Sequence, residues 1–170
     1  MRKLTSILCF LLILISACSS KSDLNASDEM FVGMMIPHHE QAIKMADFAL
    51  KFSENPKIIN LAKNIKASQQ PEIDLMKSLG ANMVEVHSGH IMKGMISALD
   101  MKILESARGE VFDKKFLSGM IQHHEGAIEM AKTVLNSGNV EISNLANEII
   151  RAQSEEIKLM KNLLEEINPE

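Results

Sequence analysis

Two strings in this chain carry the residue types that could do chemistry: MIPHHEQAIKMA, Met35 to Ala46, and MIQHHEGAIEMA, Met120 to Ala131. Each sets adjacent histidines among methionines at three- and four-residue spacings. Imidazole and thioether together are ligands for soft cations, and imidazole alone can also hold a structural hydrogen bond or carry a proton. At 100° per residue, Phe31, Met34, His38, Ala42, Met45 and Ala49 fall on one side of a helix, so His38 is expected on the apolar face. His39 lies about 100° further round, toward Met35, Ala42 and Ala46, and like His124 is expected at the margin of the core. The second string repeats this, with His123 beside Phe116 and Met130, and His124 beside Met120 and Ala131. Glu40 and Glu125 are expected to face water.

A complementary polar pattern recurs downstream. Ile58, Ala62, Ile65, Ile73 and Met76 define a core stripe that also contains Gln69 and Glu72; Gln153 and Glu156 hold the equivalent places later in the chain. A carboxylate on a core face needs a partner, and the core-facing His38 and His123 are the expected partners of Glu72 and Glu156. Two readings follow. The histidines could be structural, holding helices in register through His/Glu pairs. Alternatively they could bind a metal, with Glu72, Glu156, Gln69 and Gln153 orienting the ligating rings through hydrogen bonds.

If a metal binds, imidazole with thioether and no thiolate favours copper, above all Cu(I), or a related ion such as Ag(I). Zinc lacks its usual cysteines, although a zinc site of histidine and carboxylate stays open. A di-iron centre, and with it a ferritin-type metal oxidase, would need Glu-x-x-His pairs, and no glutamate stands three residues before a histidine in either string. A second possible cluster, Met83, His87, His90, Met92 and Met95, lies between the two strings. No Gly-x-Ser-x-Gly elbow and no glycine-rich phosphate loop is present, so no enzymatic turnover is expected.

The elements that must position these residues are helices. Apolar periodicity predicts helices over 28–52, 56–79, 95–107, 110–136 and 140–167, with Asn55-Pro56 as a helix start and Gly80, Gly109 and Gly138 as breaks. The first two recur in the last two. Phe31, Met35, His38, His39 and Met45 correspond to Phe116, Met120, His123, His124 and Met130, and Leu61, Gln69, Glu72 and Met76 correspond to Leu145, Gln153, Glu156 and Met160. A helical hairpin present twice packs most simply as a four-helix bundle: repeat one 28–80, a connector 81–109 with a short crossover helix, and repeat two 110–167. Pro37 and Pro71 lie inside helices of the first hairpin only, where bends are expected.

Ahead of the bundle, Arg2 and Lys3 precede the apolar run Leu4 to Ile15, which ends in Ile15-Ser16-Ala17-Cys18. This predicts a lipoprotein signal peptide over 1–17, lipidation at Cys18, and a polar tether over 18–27. The expected location is the cell envelope, with the protein held by its lipid on an extracytoplasmic membrane face. Of two cysteines, Cys9 leaves with the signal and Cys18 takes the lipid, so no thiol remains for a disulfide or a metal. Losing Arg2 and Lys3 moves the net charge from −4 to −6. With no basic stripe, no Trp and no Tyr, nucleic-acid binding is not expected. Methionine is the unusual residue, 13 in all with 12 after Met1, which suits either an adaptable core or soft-metal ligation.

The doubled strings, followed by Gln-x-x-Glu-Ile-x-x-Met in Gln69–Met76 and Gln153–Met160, resemble the family named domain of unknown function 305. The segment from Gly94 to Met120 is similar to that family's connecting region. The resemblance implies an exported protein with a ferritin-like all-α bundle and, by analogy with some members, copper binding or copper resistance. By motif it implicates as ligands His38, His39, Met35 and Met45, and His123, His124, Met120 and Met130. Leu79 and Leu163 stand where the family commonly has tryptophan. The expected function is a lipid-anchored copper-binding or buffering protein; the alternative is a metal-free envelope bundle that acts through a partner protein.

Overall fold

The structure, a computed structural model, describes residues 24–79 and 92–168. These residues form five helices: α1 Ala26–Phe52, α2 Pro56–Ser78, α3 Ala98–Ser106, α4 Gly109–Lys132 and α5 Val140–Ile167. Each start has a local cause. The Asn25 side chain accepts from the backbone N–H groups of Ser27 and Asp28 while Asp28 reaches back to the Asn25 N–H, a capping box that starts α1 two residues earlier than expected. Asn55 caps α2, with Pro56 in the first turn where its missing N–H costs nothing. Asn139 caps α5 through the N–H groups of Glu141 and Ile142. Pro37 and Pro71 both lie inside continuous helices.

Two boundaries differ from the sequence expectation. α3 begins at Ala98, not Met95, because the backbone of Ile96 is bonded to the Gln41 side chain and Ser97 supplies the cap. α4 ends at Lys132, not Asn136; the Thr133 hydroxyl donates to the Met130 carbonyl and the chain turns through residues 133–137.

The helices pack as a four-helix bundle. α1 with α2 and α4 with α5 are the two hairpins, and α1 and α4 join them along the centre, while α2 and α5 touch far less. The interior is divided in two. One apolar cluster joins the C-terminal half of α1 (Ala42, Met45, Ala49) and the start of α2 (Ile58, Leu61, Ile65) to Phe112, Phe116 and Met120 of α4 and Met160 of α5. The other joins Phe31, Val32, Met35 and Ile36 to Ile73 and Met76, and to Ala127, Met130, Ile142 and Ile149. Between the clusters the chain places polar residues on every long helix: His38 and His39, Gln69, His123 and His124, and Gln153. A polar layer thus crosses the middle of the core.

The connector reaches the bundle at this layer. Gln41 clamps Ile96 from both sides, donating from Nε2 to its carbonyl (3.1 Å) and accepting its N–H at Oε1 (3.0 Å). Gly94 adopts φ +84°, a left-handed conformation that favours glycine, and lies against the α4 backbone, where a Cβ would meet the Gln122 carbonyl and the Gly126 Cα at 2.8 Å. Gly126 returns the constraint, since a Cβ there would overlap the Lys93 carbonyl. Lys93 also pairs with Glu129.

Candidate metal centre

All four histidines of the repeated strings are buried. Their partners reverse the expectation that His38 and His123 pair with the glutamates. The His39 Nε2–H donates to Glu72 Oε2 at 2.7 Å, and His124 does the same to Glu156 Oε2 at 2.7 Å. His38 instead donates from Nε2 to the Lys93 carbonyl of the connector at 3.1 Å, and its ring lies 3.7 Å from that of His123, tilted by 42°. Nor do His39 and His124 lie at the margin of the core: both are fully buried. The reason is angular. In a square bundle each helix faces two neighbours roughly 90° apart, and consecutive residues are separated by about 100°. One histidine of each pair therefore meets the other hairpin and the next meets its own hairpin partner.

These bonds fix the chemistry of each ring. In a neutral histidine that donates from Nε2, Nδ1 keeps an unprotonated lone pair. Nδ1 of His38, His39 and His124 has no hydrogen-bond partner, and neither ring nitrogen of His123 has one. Burial, then the neighbouring His39, pushes His38 down to about 3, against the partial support of the Lys93 carbonyl. Burial, then His38 and the other two histidines, holds His123 well below its ordinary value; the His38 backbone offsets this only weakly, without reaching hydrogen-bonding geometry. Both rings are neutral at physiological pH.

Gln69 and Gln153 are buried in the same layer with both amide atoms unpaired. Each such atom costs about 1–3 kcal/mol unless something satisfies it, so the layer suits a polar guest, water or a cation, better than an apolar one. The donor set fits a soft cation. The bonded ring N–H groups are held by a carboxylate or a carbonyl, the arrangement that commonly orients metal-ligating histidines.

The methionines do not gather around one point. Met35 and Met130 belong to one apolar cluster, Met45 and Met120 to the other, so each string sends its two thioethers to opposite sides of the histidine layer. Among the described residues, no three His, Cys, Asp or Glu side chains converge on one site. His87 and His90 of the second cluster, and Met83, lie outside the described residues, as does Cys18. Met92 and Met95 are half-buried on the connector. Glu40 and Glu125 are exposed, as expected.

Sequence reasoning missed several residues. The Lys93 carbonyl carries no side-chain signal. Gln41 and Gly126, by contrast, are a visible difference between the two strings, and it is their difference that seats the connector. Asp28 and Asp113 are buried at equivalent positions, each with one unpaired oxygen, and aligning the repeats would have paired them.

A duplicated helical bundle with a buried His/Glu layer defines the class of protein, and comparison with known proteins supplies the family. The domain of unknown function family DUF305 matches residues 28–164, and the chain belongs to that family. Solved structures similar to it include a DUF305 fragment from Deinococcus radiodurans (29% identity, TM-score 0.74, 82% of this chain and 96% of that one). A DUF305 protein from Streptomyces coelicolor gives 28% identity and a TM-score of 0.76, covering 83% and 92%. CopM in its Cu(II)-bound form is 36% identical with a TM-score of 0.71, covering 83% and 97%; CopM is also known in Cu(I)-bound and silver-bound forms. Among curated proteins, Uncharacterized protein L153 of Acanthamoeba polyphaga mimivirus is 40% identical over 67 residues, 38% of this chain, and the match spans 44% of that relative's length. Among the described residues no helix is long and apolar enough to cross a membrane.

Proposed function

We propose that this protein binds copper, as Cu(I), outside the cytoplasm, and serves as a buffer or resistance factor without turning over a substrate. The observation that carries this reading is the buried layer of four imidazoles, three of which have one nitrogen hydrogen-bonded and the other free. The ligating atoms would be the Nδ1 atoms of His39 and His124, with Glu72 and Glu156 orienting them. Met35, Met45, Met120 and Met130 stand above and below the layer as soft donors. Among the described residues no three carboxylate or imidazole groups converge, an arrangement that suits the low coordination number of Cu(I) better than Zn²⁺ or iron. The copper- and silver-bound structures of a 36% identical relative support the choice of metal. A relative named as a candidate secreted protein supports the location. The signal-like segment ending at Cys18 supports attachment by lipid. Histidines and methionines of the 83–95 stretch would add a second site.

Titrating the soluble domain with Cu(I) against a competing chelator tests this. Retention is expected, and it should fall at least about tenfold in His39→Ala/His124→Ala protein. No retention by the native protein would end the reading.

The two His–Glu bonds also favour a second reading, since each ties the helices of its own hairpin together without any metal. On that reading the protein is a metal-free envelope bundle that contacts a partner protein. Ligand linkage separates the two: a cation at 100 times its Kd raises stability by about 2.7 kcal/mol, whereas the metal-free bundle predicts no change in Tm on adding Ag(I) or Cu(I).

A further inference from the structure

The histidine layer is sealed on the side where α1 meets α4, since the connector crosses there and the Lys93 carbonyl bonds His38. The side where α2 and α5 face each other differs. These helices touch little, and between them lies an open cleft of about 520 Å³ lined by Ser68, Pro71, Glu72, Leu75, Leu145 and Arg151, among others. Glu72 belongs to both places. Its carboxylate holds the buried His39 ring at 2.7 Å, and its side chain, 17% exposed, lines the cleft.

We infer that this cleft is the route by which a soft cation enters the layer, and that Glu72 is the positioning residue that receives the cation and admits it to His39. The inference rests on the copper-binding reading above. Three carboxylates line the cleft, Glu72, Glu141 and Glu148, against one guanidinium, Arg151, which is itself held by Glu148 at 2.7 Å and by Glu155. A cleft of that sign raises the local concentration of cations. When Glu72 turns to a cation in the cleft, the His39 ring loses its acceptor, and its Nδ1, which has no hydrogen-bond partner, becomes the atom that takes the incoming ion. The return of Glu72 to the Nε2–H then holds the ring in its ligating orientation.

Two variants of the full soluble domain test the route by stopped-flow loading with Cu(I) supplied from a chromogenic chelator. Glu72→Gln keeps a hydrogen-bond acceptor for His39 and removes the charge. Ser68→Trp fills the cleft from a half-buried position outside the histidine layer; as the chain has no other tryptophan or tyrosine, its fluorescence also reports the ion's passage. Circular dichroism checks that each is folded. Each variant is expected to lower the association rate constant at least about tenfold, with the final stoichiometry unchanged in Ser68→Trp. Leu159→Trp, exposed at the position equivalent to Leu75 but outside the cleft, is expected to load at the native rate. Higher ionic strength should slow the native protein more than Glu72→Gln. Native-rate loading by both Glu72→Gln and Ser68→Trp would overturn the route and leave copper binding intact. Failure of the native protein to retain Cu(I) would overturn copper binding itself, and the route with it.

Discussion

His38 and His123 meet ring to ring in the centre of the bundle, and neither accepts a proton readily there. The consequence for stability has a definite sign. Unfolded histidine binds a proton as pH falls through about 6.5, whereas native His38 stays neutral down to about 3. Over that interval the unfolded chain holds more protons, so the metal-free protein loses stability as pH falls, at about 1 kcal/mol per pH unit for each such ring. Denaturant melts of apo protein between pH 7 and pH 5, above most carboxylate titration, should show this slope. His123→Leu should roughly halve it, and should cost little at pH 7 because the His123 nitrogens make no hydrogen bond. That His38 and His123 would be buried and that the glutamates would need partners was legible in residue type and periodicity. Which histidine took which glutamate was not, because a helical wheel gives angles within one helix and says nothing of where the neighbouring helices stand.

At the scale of elements, the connector is the part least legible in advance. Its placement depends on main-chain atoms: the Lys93 carbonyl, the Ile96 peptide and the close approach of Gly94 to Gly126. No hydrophobic pattern encodes such contacts. The helices themselves were readable to within a few residues, since caps and periodicity agree along most of the chain; α3 and the end of α4 departed where side chains or turns captured the backbone. Gly126→Ala is expected to drive the connector off α4, because its Cβ would overlap the Lys93 carbonyl, and to cost about 1–3 kcal/mol, of which the lost His38 bond is one part. Amide hydrogen exchange should show residues 92–97 losing protection while the α1–α2 hairpin keeps most of its own. Alanine at Lys132, exposed at the C-terminal end of α4, serves as the control.

For the whole molecule, the duplication was plain in the sequence, and it makes a testable statement about association. Each hairpin turns an apolar face toward the other, with Phe31, Met35 and Met45 from one and Phe116, Met120 and Met130 from the other. Residues 24–79 produced alone would expose that face. They are expected either to remain unfolded or to pair as a twofold dimer that brings His38 against His38 in place of His123. Sedimentation of the fragment with circular dichroism checks this; a folded, monomeric hairpin would contradict it. The two-part core also explains why the interior tolerates so many polar atoms. Apolar clusters on both sides bear the folding load, leaving the middle layer free to keep its polar side chains.

The difference between Gln41 and Gly126 has a meaning beyond the seating of the connector. Duplication yields two equal halves, but joining them takes one linker, and one linker cannot obey a twofold axis. The symmetry therefore had to break somewhere near the strap, and it broke two residues past each His-His pair. The copies carry separate duties at these two positions while keeping a common one at His39 and His124, each bonded to the glutamate of its own hairpin. The join reaches into the pair itself through the Lys93 carbonyl on His38, and the two halves, though alike in their histidines, are not interchangeable.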